Sequence, residues 1–337
     1  CVDAAFLIND TTGYIRLSKF TRTTFAEFSE ASSRLLENGM KHLIFDLRGN
    51  TGGYFDQSFL LCNEFLDKGA PIVYMQGLHR SRQDFNADGR GTLRDVRLSV
   101  LIDESSASSS EIFAGAIQDN DRGVILGRRS FGKGLVQEPV NFTDGSGIRL
   151  TVARFYTPSG RCIQKPYSDG AGYAYDIYER FRHGEMTDAD SIQVDTSNVY
   201  YTSNGRKVYG GGGIIPDVFV PMDTTRATDF FIKCNRKATQ MRFASAMFDK
   251  YKSELSSISD FGKLDRYLEG LDLASQFLNF AAEKDKLVPA PGEWKKTESY
   301  MMPQLKALVG RYSKLDDEAF YRFYLVIDET VCKAMVN

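Results

Sequence analysis

The sequence predicts an α/β fold followed by an all-α module, and three observations carry that expectation. Short β-rich runs alternate with helical patterns through the first two-thirds of the chain, as in strands covered by helices. Of 29 glycines, 25 precede Asp223, which sets a boundary near Pro221-Met222-Asp223 and divides the chain into residues 1–222 and 223–337. Beyond that boundary apolar residues recur at helical spacing, in Phe231, Cys234, Ala238, Met241 and Phe248 and again in Leu264, Leu268, Leu271 and Leu278. A length of 337 residues leaves room for about two domains.

Tyr14-Ile15-Arg16-Leu17 reads as a strand, and Thr24-x-x-Glu27 spells a capping box that opens a helix closed by Asn38-Gly39. A strand over 42–47, a glycine turn, a helix from about 54 to 68 and a strand over 71–75 follow. Leu98 to Ile102 is a buried-strand pattern that runs into a serine cluster and a helix bearing Ile112, Phe113, Ala116 and Ile117. Further strands fit 124–126, 135–140 and 148–156. Residues 161–213 are polar, rich in tyrosine and end in four consecutive glycines, which reads as a long surface excursion. After Asp223 the pattern fits about four helices, broken at Pro289-Ala290-Pro291-Gly292 and resumed over 298–312 and 316–331.

Composition excludes several classes of function. With 42 basic and 44 acidic residues the net charge is −2, which supplies no field to gather nucleic acid. No apolar run approaches the ~18 residues of a membrane span, and Cys1 to Phe6 lacks the charged and apolar regions of a secretory signal. The five cysteines form no C-x-x-C, and His42, His79 and His183 show no metal-ligand spacing, so no metal or cofactor is expected. Spacing alone does not pair the cysteines. The scarcity of histidine directs attention to other bases.

The stretch from Ser105 to Asp119 carries a strand into a serine-rich turn and then a helix, placing a hydroxyl at the positive end of the helix dipole, where an oxyanion is stabilised. Ser108-x-x-Glu111 is also a capping box, and an N-cap serine alone accounts for it. Lys133 lies between Gly132 and Gly134. A turn lysine is ordinarily a solvated cation, but a desolvated one loses its charge more readily and is then able to accept a serine's proton. Gln137, four residues on, is either the group that orients that amine or an ordinary strand polar residue. Asp46-Leu47-Arg48-Gly49-Asn50-Thr51-Gly52-Gly53 reads as a strand ending in a glycine turn that can offer N–H groups to an oxyanion, and it lacks the G-x-x-x-x-G-K-[ST] pattern of a phosphate loop.

Taken in order, Gly13-Tyr14-Ile15-Arg16-Leu17, Asp46-Leu47-Arg48-Gly49-Asn50-x-Gly52-Gly53, Ser106-Ala107-Ser108-x-Ser110-Glu111-Ile112, Gly115-Ala116-x-Gln118-Asp119, Phe131-Gly132-Lys133-Gly134-x-Val136-Gln137, Asp144-Gly145-Ser146, Tyr156-Thr157-Pro158-x-Gly160-Arg161 and Ile215-Pro216-Asp217 resemble the carboxyl-terminal-processing, or tail-specific, serine peptidases over about residues 13–220. That resemblance implies a ClpP/crotonase-like α/β core. It implies Ser108 as nucleophile, Lys133 as general base, Gln137 as the residue orienting the lysine, and an oxyanion hole from the Ser109 N–H with that of Gly52 or Gly53. It further implies cleavage without ATP, metal or cofactor of proteins and peptides with accessible C-terminal tails, outside the cytoplasm, in the periplasm or cell envelope. Two departures stand out: the chain leaves no space before Gly13 for the PDZ domain common in the family, and Ser109 occupies a position usually held by alanine. A non-catalytic peptide-binding scaffold of the same fold is the main alternative. A crotonase-like acyl-CoA enzyme is a weaker one, because a serine–lysine pair has no evident task there. The helical module carries no motif of its own.

Overall fold

The computed structural model describes residues 1–167, 170–224 and 228–337, and these fall into two compact units, Cys1–Pro221 with Lys333–Asn337, and Met222–Cys332. In the first unit the strands are β1 (Val2–Leu7), β2 (Thr12–Leu17), β3 (His42–Asp46), β4 (Pro71–Gly77), β5 (Arg80–Asn86), β6 (Arg97–Ile102), β7 (Val124–Gly127), β8 (Leu135–Asn141), β9 (Gly147–Tyr156), β10 (Val199–Tyr201), β11 (Lys207–Tyr209) and β12 (Val218–Phe219). Its helices are α1 (Thr24–Glu37), α2 (Phe55–Phe65), α3 (Ser109–Asp119) and α4 (Gly170–Arg182).

The central sheet runs β1-β2-β3-β6-β7-β12, parallel throughout except for the antiparallel β1–β2 pair. A strand covered on both faces must be apolar along its length, and every residue of β3 is buried. Phe28 of α1, Phe45 of β3, Phe65 of α2 and Phe113 of α3 meet edge to face with centroids 5.1–6.1 Å apart. Each such ring contributes roughly 1.5–3 kcal/mol by leaving water, so this quartet is a principal tie between helices and sheet. A second, antiparallel sheet runs β5-β4-β9-β8, with β8 at its edge.

Several expectations need correction. β1 pairs with β2 through a short hairpin, and β5 pairs with β4; neither strand was read from the sequence, since β5 (Arg80–Asn86) is largely exposed and polar. The Thr24-x-x-Glu27 box does not form: Thr23 is the N-cap, and Glu27 turns instead to the Cys1 amino group and the Val2 N–H, both at 3.0 Å, where it meets a full positive charge. The 161–213 stretch is no simple surface loop. It contains α4, β10 and β11, and it buries Arg161, Lys165, Arg180, Glu185 and Met186. Its polar groups go inside because they are paired, as Arg161 is with Gln118 Oε1 and Asp119 Oδ1, both at 2.7 Å.

The second unit holds α5 (Asp229–Arg236), α6 (Thr239–Lys250), α7 (Lys252–Leu255), α8 (Phe261–Glu269), α9 (Leu273–Phe280), α10 (Glu293–Gly310) and α11 (Asp317–Tyr324), with α12 (Glu329–Val336) ending the chain. Phe230, Phe243, Leu264, Leu268, Phe277, Met301 and Leu305 fill its core. The helices outnumber the four expected because long apolar stripes are cut at Ala238, Asp272 and Asp316, non-glycine residues with positive φ at the starts of α6, α9 and α11. Such residues rarely adopt that conformation, so they leave no glycine to mark the break. Among the described residues no helix is long and apolar enough to cross a membrane.

Candidate active site

β3 and β6 are parallel neighbours in register, Asp46 opposite Leu101, so the loops leaving their C-terminal ends open side by side. The two loops are laced together. Leu47 N–H donates to Leu101 O at 2.9 Å, Gly49 N–H to Asp103 Oδ1 at 2.9 Å, and Ala107 N–H to Asn50 O at 3.0 Å. Three serines of the cluster spend their hydroxyls on the same loop: Ser106 on Leu47 O, Ser110 on Asn50 O and Ser109 on Gly53 O, at 2.8, 2.9 and 3.1 Å.

Ser108 differs from them. It is partly exposed between buried neighbours and has φ 56° and ψ −112°, a region costing an L-residue of the order of 1–3 kcal/mol. That strain is held at a sharp strand-to-helix turn, the arrangement of a nucleophile elbow, at the head of a helix whose eleven residues are all buried. Gly52, with φ +95°, lies against this turn; a Cβ there would come within 2.7 Å of Ala107 O and 2.9 Å of Ser109 N, so only glycine fits. Gly52 N–H donates to Asn50 Oδ1 at 2.9 Å. The N–H groups of Gly53 and Ser109 donate no hydrogen bond among the described residues.

Lys133 reaches the same place from another direction. The carboxylate of Glu111, fully buried in the first turn of α3, accepts the N–H of Ser108 and of Lys133 on Oε2, both at 2.8 Å. Its Oε1 accepts Gly132 N–H at 2.6 Å and the Ser130 hydroxyl at 2.5 Å. One carboxylate thus ties the serine turn to the lysine turn, and Phe131 N–H adds a bond to Ser106 O at 3.0 Å. Burial pushes the Glu111 carboxyl up from the ordinary glutamate range, against the pull of those four donors. Sequence reasoning saw Glu111 only as half of a cap. That half exists, but the second pair of bonds is made to a turn distant in sequence and leaves no local signal.

Beneath the β3 loop, Asp46 accepts Tyr14 Oη at 2.7 Å and pairs with Arg16 at 2.9 Å and Arg48 at 2.7 Å. Burial alone would raise its carboxyl, but Arg48 and Arg16 hold it well below the usual carboxylate range. Asn50, also buried, is a second residue the motif reading passed over: its Nδ2 donates to Leu17 O at 2.8 Å and anchors the loop to β2.

The structure gathers the six residues of interest unequally. Ser108, Ser109, Gly52 and Gly53 converge, and the Lys133 main chain joins them through Glu111. Lys133 itself is half-buried, whereas Gln137 is exposed on β8 opposite Thr151. Among the described residues no hydrogen bond links the side chains of Ser108, Lys133 and Gln137.

Comparison with known proteins follows the same segment. The sequence model of Peptidase family S41 matches residues 11–178. The chain is 39% identical over 153 residues to the chloroplastic C-terminal processing peptidase of Tetradesmus obliquus, covering 45% of this chain and 33% of that protein. It is likewise 39% identical over 153 residues to the carboxyl-terminal-processing protease of Synechocystis sp., covering 45% of this chain and 35% of that one. Among solved structures, the photosystem II D1 C-terminal processing protease shares 30% identity over 62% of this chain and 42% of its own, with a TM-score of 0.46. The matched segment spans about a third of the length of these curated relatives. The chain belongs to peptidase family S41.

Proposed function

We propose that this chain is a serine endopeptidase that cuts polypeptides near their C-termini with Ser108 as nucleophile and Lys133 as base. The observation that carries the reading is the strained, partly exposed Ser108 at the head of α3, joined to the Lys133 turn through Glu111. In the acylation step Ser108 Oγ attacks the scissile carbonyl carbon while the neutral Lys133 amine takes the hydroxyl proton and passes it to the departing amine. A water then attacks the acyl-enzyme and releases the new C-terminus. The developing oxyanion is received by the N–H groups of Ser109 and Gly53, helped by the α3 dipole. Gly53 is favoured over Gly52 because the Gly52 N–H is already spent on Asn50.

The resemblance gives Gln137 the task of orienting the lysine. Its exposure in this structure supports a lesser share, the Lys133 turn being oriented by Glu111. Protein substrates with accessible C-terminal tails rest on the family and on what its relatives are named for, and action outside the cytoplasm, in the periplasm or cell envelope, rests on the motif resemblance alone. The test is cleavage of C-terminal tail peptides by the parent, Ser108→Ala and Lys133→Arg proteins. Both variants are expected to fold and to lose at least about 1,000-fold in rate, because arginine does not deprotonate near neutral pH. Cleavage by Lys133→Arg at the parental rate would overturn the mechanism.

A further inference from the structure

The Lys133 turn has a second support that the peptidase reading does not use. Gly132, the residue before Lys133, has φ +88° and is gripped on both main-chain polar groups. Its N–H goes to Glu111 at 2.6 Å, and its carbonyl accepts the N–H of Lys165 at 3.0 Å. A Cβ on Gly132 would stand 3.1 Å from the Lys165 Cβ, so the two segments are in close contact.

The Lys165 side chain is 4% exposed, unusual for an ammonium, and it is paired rather than solvated. Its Nζ donates to Asp176 Oδ2 of α4 at 3.1 Å. It lies 3.9 Å from the ring centroid of Phe131, two residues before Lys133, and 4.4 Å from that of Tyr173 of α4. The charge therefore sits between two aromatic faces with a carboxylate on a third side. Arg180 and Glu185 continue the grip one residue further back. Arg180 donates to Ser130 O at 3.0 Å and to Arg129 O at 2.6 Å, and Glu185 pairs with both Arg129 and Arg180.

We propose that Lys165 is a positioning residue for Lys133: its main chain pins Gly132 and its caged ammonium fixes Phe131 against α4, so that the turn holds the catalytic amine in one place. The inference rests on the assignment of Lys133 as base. It gives the 161–213 segment a task in the chemistry, since that segment supplies Lys165, Asp176 and Arg180 alike. The charged groups facing the Lys165 ammonium are Asp176 and Arg180 of α4 and Glu111 of α3.

The experiment compares Lys165→Met, Lys165→Arg and Asp176→Asn with the parent, on a cleavable tail peptide and in the rate at which a small fluorophosphonate labels Ser108. Methionine keeps the apolar stem and removes the charge. Lys165→Met is expected to lower kcat about tenfold or more with KM held within about twofold, and to slow labelling in parallel, since misplacement of a catalytic group costs the chemical step rather than binding. Lys165→Arg keeps the cation and is expected to recover kcat to within about threefold of the parent. A folded Lys165→Met protein with parental kcat and labelling rate overturns the proposal. Should that variant fail to fold, Asp176→Asn decides, its carboxylate being partly exposed. A loss in kcat of several-fold at unchanged KM supports the role, and parental kinetics overturn it. Lys133→Arg, run alongside, separates the failures. Cleavage at the parental rate in it sinks the assignment of Lys133 as base and this role together, whereas an inactive Lys133→Arg beside a fully active Lys165→Met sinks only the role of Lys165.

Discussion

Ser108 and Lys133 are positioned by different parts of the chain. The serine turn is held by the loops that leave β3 and β6, adjacent parallel strands of the core sheet, through the bonds from Ser106, Ala107, Ser109 and Ser110 to residues 47–53. The lysine turn is held from outside that sheet, by Lys165 on one side and by Glu111 on the other. The geometry of Ser108 is thus a property of the core, while that of Lys133 depends also on a segment that packs onto it. A strained residue such as Ser108 persists only where its surroundings over-determine it, and the sheet ends do this. A lysine needs less strain but more control over its position, and here that control comes from polar groups buried in pairs.

Removing the one group shared by both turns tests the comparison most severely. Glu111→Gln keeps the shape of the side chain but replaces one acceptor oxygen with a donor that faces two others, either Ser108 and Lys133 N–H or Gly132 N–H and the Ser130 hydroxyl. Buried donors left without acceptors cost about 1–3 kcal/mol each, so for two of them a loss of roughly 2–6 kcal/mol in stability is expected, read by urea unfolding. In the fraction that remains folded, kcat should fall about 100-fold or more, read on the tail peptide, because both turns lose their common reference. Parental kcat in a folded Glu111→Gln protein would show that the two turns hold themselves independently.

The opposite end of the same strand pair provides a contrast in kind. His42 opens β3, and its Nε2 shares a hydrogen bond with Ser99 Oγ of β6 at 2.9 Å. Burial, aided by the charge of Arg97, pulls its pKa down from 6.5 to about 4. Between those values the unfolded chain takes up a proton that the folded chain refuses, so stability is full above about pH 6.5 and declines as pH falls toward 4. The depressed carboxyl of Asp46 adds nothing in that window, since its contribution is lost only below its unfolded value of 3.8. Urea midpoints at pH 7 and pH 5.5, above the ordinary glutamate range, should therefore differ more in the parent than in His42→Gln, while kcat at pH 7 stays within about twofold. A change in kcat comparable to that of Glu111→Gln would mean that the sheet transmits strain end to end.

What the sequence made legible divides along the same line. The parallel core could be read because its strands are continuous apolar runs and its loops are glycine turns, as at Gly52, where only glycine fits. Ser108 and Lys133 could be placed because each sits in a local motif. The bonds that position Lys133 could not be read, since Glu111 lies before the lysine turn and Lys165, Asp176 and Arg180 well after it, and they meet that turn only in the fold. Burial of a polar, tyrosine-rich stretch contradicts its composition until its partners are known. The helix breaks at Ala238, Asp272 and Asp316 were hidden because the left-handed residue there is not glycine.

Gln137 gives the smallest expected effect and the finest test of where the position of Lys133 is controlled. It lies on the edge strand β8, exposed, opposite Thr151 and beside a register irregularity between Val136 and Gln137. Lys133, four residues earlier, is already fixed through its own N–H and through both polar groups of Gly132. A surface side chain with no partner in the core typically contributes within about 0.5 kcal/mol to stability, so Gln137→Ala should leave the urea midpoint nearly unchanged. On the tail peptide its kcat/KM should fall by no more than about fivefold, well short of Lys165→Met. A loss as large as that of Lys133→Arg would reverse the comparison. It would mean that β8 rearranges when peptide binds, bringing Gln137 to the Lys133 amine in the complex, and that the strand rather than the buried pairs sets that amine during turnover.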